Sequence, residues 1–464
     1  MLNGVMFKDS SEGKAFPGER WIELASVALV FLAGLLFYLW VLLREPLIYG
    51  VDGPYYLIQV EALLDGEGLA YADPPLAFFI FAGFAKALGD VTLGIKVATA
   101  LFSALSAIPL YLLVRRVSGS LVGGLAAMVA GLFSVQHLRL MGDLLKNAVG
   151  VLFLLAFVYF LHETVFAESK RRSALFSTVF LALAALTHVL DFGVAVLFLL
   201  FYSLLSLLLK VEVRELLRRV GPIYIGLAAF LAVGIVVFWP YFSDLTKGIG
   251  FLQDLLSDSQ QPNPLPFFLE PGAALMAPVL LVGLLLAAHE GLRERVGSSV
   301  FLGSAVVVGV LISLPVIPKE WLWRFALMGF VPMSIVIGCS VGKVRPRLSA
   351  LLMMILVLSP LTIQAVGGSE FVRPTITEDM YDELLEMKEL VVPGSAMLTR
   401  TRRVAGLFYW TEYLLDVDRP DGPLPELFQR YDHIYSLTEA DDPTPLPPRA
   451  RILYQGDHFL LAEL

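Results

Sequence analysis

Cysteine is almost missing from this chain. The only one is Cys339, which excludes an internal disulfide and a cysteine-built zinc site and leaves the redox compartment unreadable. Charge is scarce as well: 16% of residues are charged and 57% are hydrophobic, whereas soluble domains run near about 25% and about 45–50%. No Gly-rich phosphate loop, GxSxG elbow or HExxH motif occurs. Basic patches interleaved with aromatics are missing too, so nothing supports a nucleic-acid partner. No repeat of about 20 to 50 residues marks a solenoid. What the chain has instead is a series of long apolar runs and a mean hydropathy of +0.75. The expected class is mainly α: a polytopic membrane protein with a small α/β domain at its C-terminal end.

A bilayer core needs about 20 apolar residues per helix. That rule places about eleven spans, near 23–43, 92–114, 121–136, 148–166, 174–188, 193–209, 221–239, 272–288, 299–314, 325–342 and 349–366. The first reads as an uncleaved signal anchor. The segment Pro74 to Gly89 is apolar but short and carries Lys86, which suits an interfacial or re-entrant helix. Lys and Arg crowd alternate loops: Arg115 and Arg116; Lys170, Arg171 and Arg172; Lys210, Arg214, Arg218 and Arg219; Arg293 and Arg295; Lys343, Arg345 and Arg347. Short basic loops stay cytoplasmic. The expected topology is therefore a multi-pass cell-membrane protein with its N-terminus cytoplasmic and its C-terminal domain extracytoplasmic.

Residues 1–366 form the expected transmembrane domain, with outer loops at 44–91, 137–147, 240–271 and 315–324, and residues 367–464 the outer domain. That tail carries 18 acids against 9 bases, and the charge break marks the boundary. Thr375 to Glu378 has capping-box spacing before the amphipathic run MYDELLEMKEL. The runs AMLTRT, HIYSLTE and RILYQGDHFLLAEL read as strands, the last folding at Gly456-Asp457 into a hairpin.

Ionisable groups at the membrane surface are costly and are the candidates for chemistry. Asp52, before Gly53-Pro54, is placed to cap a short helix from about Tyr55 to Leu64. A carboxylate held there would also serve as a base toward an acceptor hydroxyl or as a metal ligand. Asp73, before Pro74-Pro75, reads mainly as a cap for the next helix. In the second outer loop Asp143, Lys146 and Asn147 would share one helical face. Asp52 and Asp143 are the pair that would hold a divalent cation, Mg or Mn, since hard cations take carboxylate oxygens. His188 and Asp191 lie in a very short turn where they would face each other and fix the imidazole tautomer, or serve only to reverse the chain. Lys319 and Arg324 flank Trp321 and Trp323 at the top of the tenth span. The tryptophans read as an interfacial belt, and the planar guanidinium of Arg324 suits a phosphate. The acids of the largest outer loop, Asp244, Asp254, Asp258 and Glu270, receive no catalytic task.

One span, an outer loop with Asp52 and a short helix, Pro74-Pro75-Leu76 running into an apolar stretch that ends in Leu88-Gly89, and a span closed by Arg115-Arg116: this order resembles the C-type polytopic glycosyltransferases (GT-C superfamily). They include the protein O-mannosyltransferases, the aminoarabinose transferases and the oligosaccharyltransferase catalytic subunits. The likeness covers the architecture of the chain and is local mainly at residues 50 to 116, with looser support at 137 to 147 and 319 to 330. It implies a membrane glycosyltransferase that takes a sugar from a polyprenyl-phosphate-linked donor and passes it to an extracytoplasmic protein, glycan or lipid acceptor. Asp52 matches the family's catalytic acid of the first loop, and Asp143 stands for the acid of the second. Arg324, with Lys319 or Lys146 as alternatives, would neutralise the leaving phosphate. Relatives often pair acids in the first loop, whereas Gly53 follows Asp52 here. The WWDYG-like motif of oligosaccharyltransferases is absent, the nearest string being FYWTEY at 408 to 413, which argues against asparagine as acceptor. The competing expectations are a transporter or flippase for a lipid-linked or anionic substrate, and a non-catalytic scaffold. The first would put its ionisable groups at the midplane, often in repeated halves. In the second Asp52 would be a cap alone.

Overall fold

Long apolar runs close their backbone hydrogen bonds within helices, the form available in lipid without an edge, and the chain is accordingly mostly helical. The computed structural model describes residues 17–167, 170–237, 271–313, 319–420, 422–442, 446–447 and 450–464. The loop expected at 240–271, with Asp244, Asp254, Asp258 and Glu270, lies outside the described residues up to residue 270, as do residues 314–318.

In chain order the helices are α1 (Pro17–Leu43), α2 (Gly53–Asp65), α3 (Leu76–Leu88), α4 (Val91–Leu105), α5 (Ala107–Ser118), α6 (Leu121–Leu132), α7 (Val135–Asp143), α8 (Leu145–Phe166), α9 (Lys170–Thr187), α10 (Val189–Leu208) and α11 (Val213–Val237). After the undescribed loop come α12 (Pro271–Leu292), α13 (Val296–Leu311), α14 (Lys319–Leu327), α15 (Phe330–Lys343) and α16 (Arg347–Gly368). Among the described residues eight helical segments are long and apolar enough to cross a membrane, or nine if the bent pair α6–α7 counts as one. The sequence led us to expect about eleven. Helices occupy the two remaining positions as well and miss that count by composition or length alone: α9 carries Lys170, Arg171 and Arg172 in its first turn, and α13 has 16 residues. Helix α3, at 13 residues, rises only about 20 Å, too little to cross.

Helices α4 and α5 meet at Ser106, whose hydroxyl donates to the Ser103 carbonyl at 2.6 Å, and run together as one long apolar segment, Val91–Ser118, whereas α6 bends by 42° into α7. Helices α6 and α15 pack backbone to backbone. A Cβ at Gly123 would lie 2.7 Å from the Gly338 carbonyl, and one at Gly338 2.7 Å from that of Gly123, the close approach that small residues allow in membranes. Helix α8 separates the two ends of the bundle. Near its start is Lys146; about 25 Å further along, Glu163 pairs with Arg116 at 3.1 Å.

The tail holds α17 (Glu378–Met387), β1 (Ala396–Arg400), α18 (Leu407–Leu415), α19 (Leu424–Arg430), β2 (Ile434–Glu439), β3 (Arg451–Gln455) and β4 (Phe459–Glu463). The sheet order is β1-β2-β4-β3, with β1 parallel to β2 and the other pairs antiparallel. The cap of α17 is Thr377, whose side chain accepts the Met380 N–H at 3.3 Å, two residues after the expected Thr375. Thr375 instead accepts the indole N–H of Trp410 at 3.1 Å. The tail core does not close on itself. Leu384, Trp410, Leu437 and Phe459 belong to one buried cluster with Ile48, Leu57, Val60 and Phe78 from α2, α3 and the loop before them. The tail is thus set down on the first connecting loop.

Candidate active site

The loop before α2 is fixed from two sides. Gly50 has φ +77, and a Cβ there would lie 2.1 Å from the Gly142 carbonyl and 3.0 Å from the Asp143 Cα. This left-handed glycine lets the loop seat against the end of α7. On the other side Gly406 of the tail, φ +75, would put a Cβ 2.4 Å from the Val51 carbonyl. Asp52 is held between these two contacts.

Asp52 occupies the N-cap position of α2, but its carboxylate does not cap. A cap accepts from the second or third N–H of the helix, normally from an extended backbone. Here Pro54 has no N–H to give, and Asp52 sits at φ −87, ψ 6. The Asp52 carbonyl takes the Tyr56 N–H at 3.2 Å, leaving the carboxylate with no hydrogen-bond or ion-pair partner among the described residues. Burial pushes its pKa up from the ordinary value, Arg324 and Lys146 pull the other way, and the Asp73 charge adds to the rise. The helix-cap expectation is therefore corrected.

Asp73 is no cap either, since the N-cap position of α3 is Pro75. Its Oδ2 accepts the Tyr55 hydroxyl at 2.6 Å and the Lys146 ammonium in a short ion pair. Burial alone would raise its pKa, but Lys146 and Tyr55 outweigh that and hold it below the ordinary value. Gln59 braces the group: its amide donates to the Tyr55 hydroxyl at 2.9 Å and to the Tyr71 carbonyl at 3.0 Å, and its oxygen accepts the Tyr71 N–H at 3.0 Å. Lys146 also lies 5.1 Å over Phe78 and 5.6 Å over Tyr55, so its charge is already committed within the protein.

The helical face expected to join Asp143 to Lys146 and Asn147 does not form. Leu144, at φ −136, ψ 66, breaks the chain between α7 and α8. Asp143 lies 3.8 Å from Arg139 on its own helix and within the electrostatic reach of Asp52. Asn147 is buried with both amide atoms lacking a partner among the described residues.

His188 and Asp191 do not face each other as expected. His188 caps α10, its Nδ1 accepting the Leu190 N–H at 3.1 Å, so the neutral ring carries its proton on Nε2. Asp191 is fully buried, both oxygens lack a partner among the described residues, and its carboxylate rests against Gly150, where a Cβ would lie 2.2 Å from Oδ2. Arg324 sits 5.0 Å over Trp321 and 5.5 Å from the Trp323 ring, and its Nε finds no acceptor among the described residues. Its charge acts on Asp52, Tyr56 and His188. The Lys319 side chain lies outside the described residues.

The sequence did not single out the tail's contribution. Tyr409 of α18 has its ring 5.5 Å from Tyr55 and feels the Asp52 charge. Tyr71 donates its hydroxyl to Glu412 in a short hydrogen bond, and Tyr413 donates to Glu61 at 2.7 Å. The only signal was the string FYWTEY itself, an aromatic-acidic run on a short helix. No group of three or more His, Cys, Asp or Glu side chains able to hold a metal occurs among the described residues. An ion at Asp52 and Asp143 would have to take most of its ligands from substrate and water, as Mg commonly does.

Residues 72–239 match the family described as dolichyl-phosphate-mannose-protein mannosyltransferase. No match was found among curated proteins. Among solved structures, the archaeal oligosaccharyltransferase AglB from Archaeoglobus fulgidus, in complex with an inhibitory peptide and a dolichol-phosphate, is 12% identical, with a TM-score of 0.66 over 92% of this chain and 70% of that one. ArnT from Cupriavidus metallidurans bound to undecaprenyl phosphate is 13% identical, with a TM-score of 0.57 over 97% of this chain and 98% of that one. The arabinofuranosyltransferase AftD from Mycobacteria is 15% identical, with a TM-score of 0.57 over 96% of this chain and 40% of that one.

Proposed function

We propose, for a chain with the fold of the C-type polytopic glycosyltransferases, that it transfers a sugar from a polyprenyl-phosphate donor to an acceptor hydroxyl on the tail-domain side of the membrane. That side is extracytoplasmic if the basic loops stay inside. One observation carries the reading: Asp52 and Arg324 bear opposite charges that act on one another, yet neither has an ion-pair partner among the described residues. Charged groups left unpaired in a partly buried site are costly, and a substrate with a hydroxyl and a phosphate would satisfy both.

In this reaction the acceptor oxygen attacks the anomeric carbon, forming the new glycosidic bond as the bond from that carbon to the phosphate oxygen breaks. The acceptor proton passes to Asp52, which burial has made more basic than an ordinary carboxylate. Polyprenyl phosphate leaves with the electron pair, and Arg324 neutralises the charge growing on it. His188 presents its Nε2–H as a further donor. Lys146 keeps its place beside Asp73 and contributes through the field. Mg or Mn held by Asp52 and Asp143 would supply further positive charge at the phosphate.

The test incubates the purified full chain with a panel of polyprenyl-phosphate sugars and membrane-extract acceptors, and measures release of polyprenyl phosphate. At least one donor is expected to turn over, with Asp52→Asn lowering the rate by roughly 10²-fold or more. Full activity in Asp52→Asn, or no turnover of any donor, refutes the proposal.

A further inference from the structure

A cavity of about 360 Å³ opens where α1 ends and α4 begins, and Asp52, Asp73, Lys146 and Arg324 do not line it. Its volume is in the range of small-molecule sites. The polar wall is Glu45, Asp90 and Lys96, and the tail domain covers it with Tyr381, Trp410 and Tyr413. Lys96 is only 3% exposed. Its ammonium donates to the Glu45 carbonyl at 2.6 Å and the Pro46 carbonyl at 3.1 Å and lies 4.9 Å over the Tyr49 ring, so it stands in the cavity wall as a fixed positive charge. Asp90 uses Oδ1 to cap α4 by accepting the Leu93 N–H at 2.6 Å and keeps its other oxygen. The Glu45 carboxylate is exposed and has no partner among the described residues. The rim is apolar and open: Leu43 is 44% and Leu93 36% exposed, at the level where two apolar helices end and lipid headgroups lie.

We propose that this cavity binds a membrane phospholipid whose headgroup ends in a primary ammonium, as in phosphatidylethanolamine. The fixed positive charge of Lys96 in the cavity wall attracts the phosphodiester. Two carboxylates and three aromatic rings meet the headgroup ammonium, the combination that recognises organic cations. The acyl chains leave over Leu43 and Leu93. The lipid would thereby fasten the tail domain to the bundle, independently of the transfer site.

The full chain is delipidated in detergent, incubated with equimolar phosphatidylethanolamine, phosphatidylcholine and phosphatidylglycerol, and the retained lipids are counted by native mass spectrometry. Ethanolamine lipid is expected to be retained over the other two by roughly tenfold, and the Glu45→Gln/Asp90→Asn double variant to bring the three toward parity. Equal retention in the wild type, or enrichment that survives in a folded double variant, overturns the proposal. A series that needs no variant guards against misfolding: adding one, two and three N-methyl groups to the headgroup should lower retention stepwise as N–H donors are lost, and a flat series refutes the ammonium contact. Glycerophosphoethanolamine without acyl chains is expected not to displace the lipid at equal concentration. Full displacement would make the ligand a free zwitterion and overturn the lipid assignment.

Discussion

Replacing Lys146 by Met tests how the site is assembled. The side chains of Lys146 and Asp73 are only 9% and 19% exposed, so removing the cation leaves a carboxylate stranded beside Tyr55 and Phe78. Breaking one side of a buried pair costs about 3–5 kcal/mol, most of it the cost of the unpaired charge left behind. Neutralising both partners removes that charge, so Lys146→Met/Asp73→Asn should recover most of the loss. Equilibrium unfolding of the four proteins in detergent gives the cycle, and the coupling should be about 2 kcal/mol or more. The same variants move the activity profile in opposite directions. Lys146 lowers and Asp73 raises the pKa of Asp52. Lys146→Met should therefore shift the acid limb of the rate to higher pH, and Asp73→Asn to lower pH. A Lys146→Met protein within about 0.5 kcal/mol of the wild type, or a double variant no more stable than the single, would refute the pairing.

Gly50→Ala should cost about 1–3 kcal/mol from its left-handed backbone and more from the clash with Gly142, and should slow transfer by displacing Asp52, as read by unfolding and by initial rates. Asp52→Asn should be more stable than the wild type near neutral pH while losing activity. The raised pKa of Asp52 means that the fold favours the protonated form: stability is full below the unfolded-state pKa and is lost as pH rises through the folded one. The gap between the two proteins should close in acid, as thermal midpoints measured across pH will show.

The apolar runs made the bundle legible, and the alternating strands with Gly456-Asp457 made the tail sheet legible. Where the helices bend, shorten or begin was not, because the runs around α6–α7 and α13 have the composition of a span without its straight length, and the three basic residues of α9 lie inside the helix. At the candidate site, sequence offered Asp52, Arg324 and Lys146 as candidates by type and level but not the surroundings the structure gives them. The Lys146–Asp73 pair joins residues 73 positions apart, beyond any helical spacing, and the break at Leu144 undid the face drawn through Asp143. The helix at Leu407–Leu415 carries no motif that marks a site, and its place beside Asp52 comes from where Gly406 lets it sit, against Val51.

The most direct measurement is a structure of the Asp52→Asn protein with a polyprenyl-phosphate sugar bound. The account predicts the donor phosphate within hydrogen-bond distance, about 3 Å, of the Arg324 guanidinium, with the anomeric carbon facing residue 52 and the Lys146–Asp73 pair intact. A phosphate seated on Lys146 with Asp73 released, or a sugar directed away from residue 52, would contradict it.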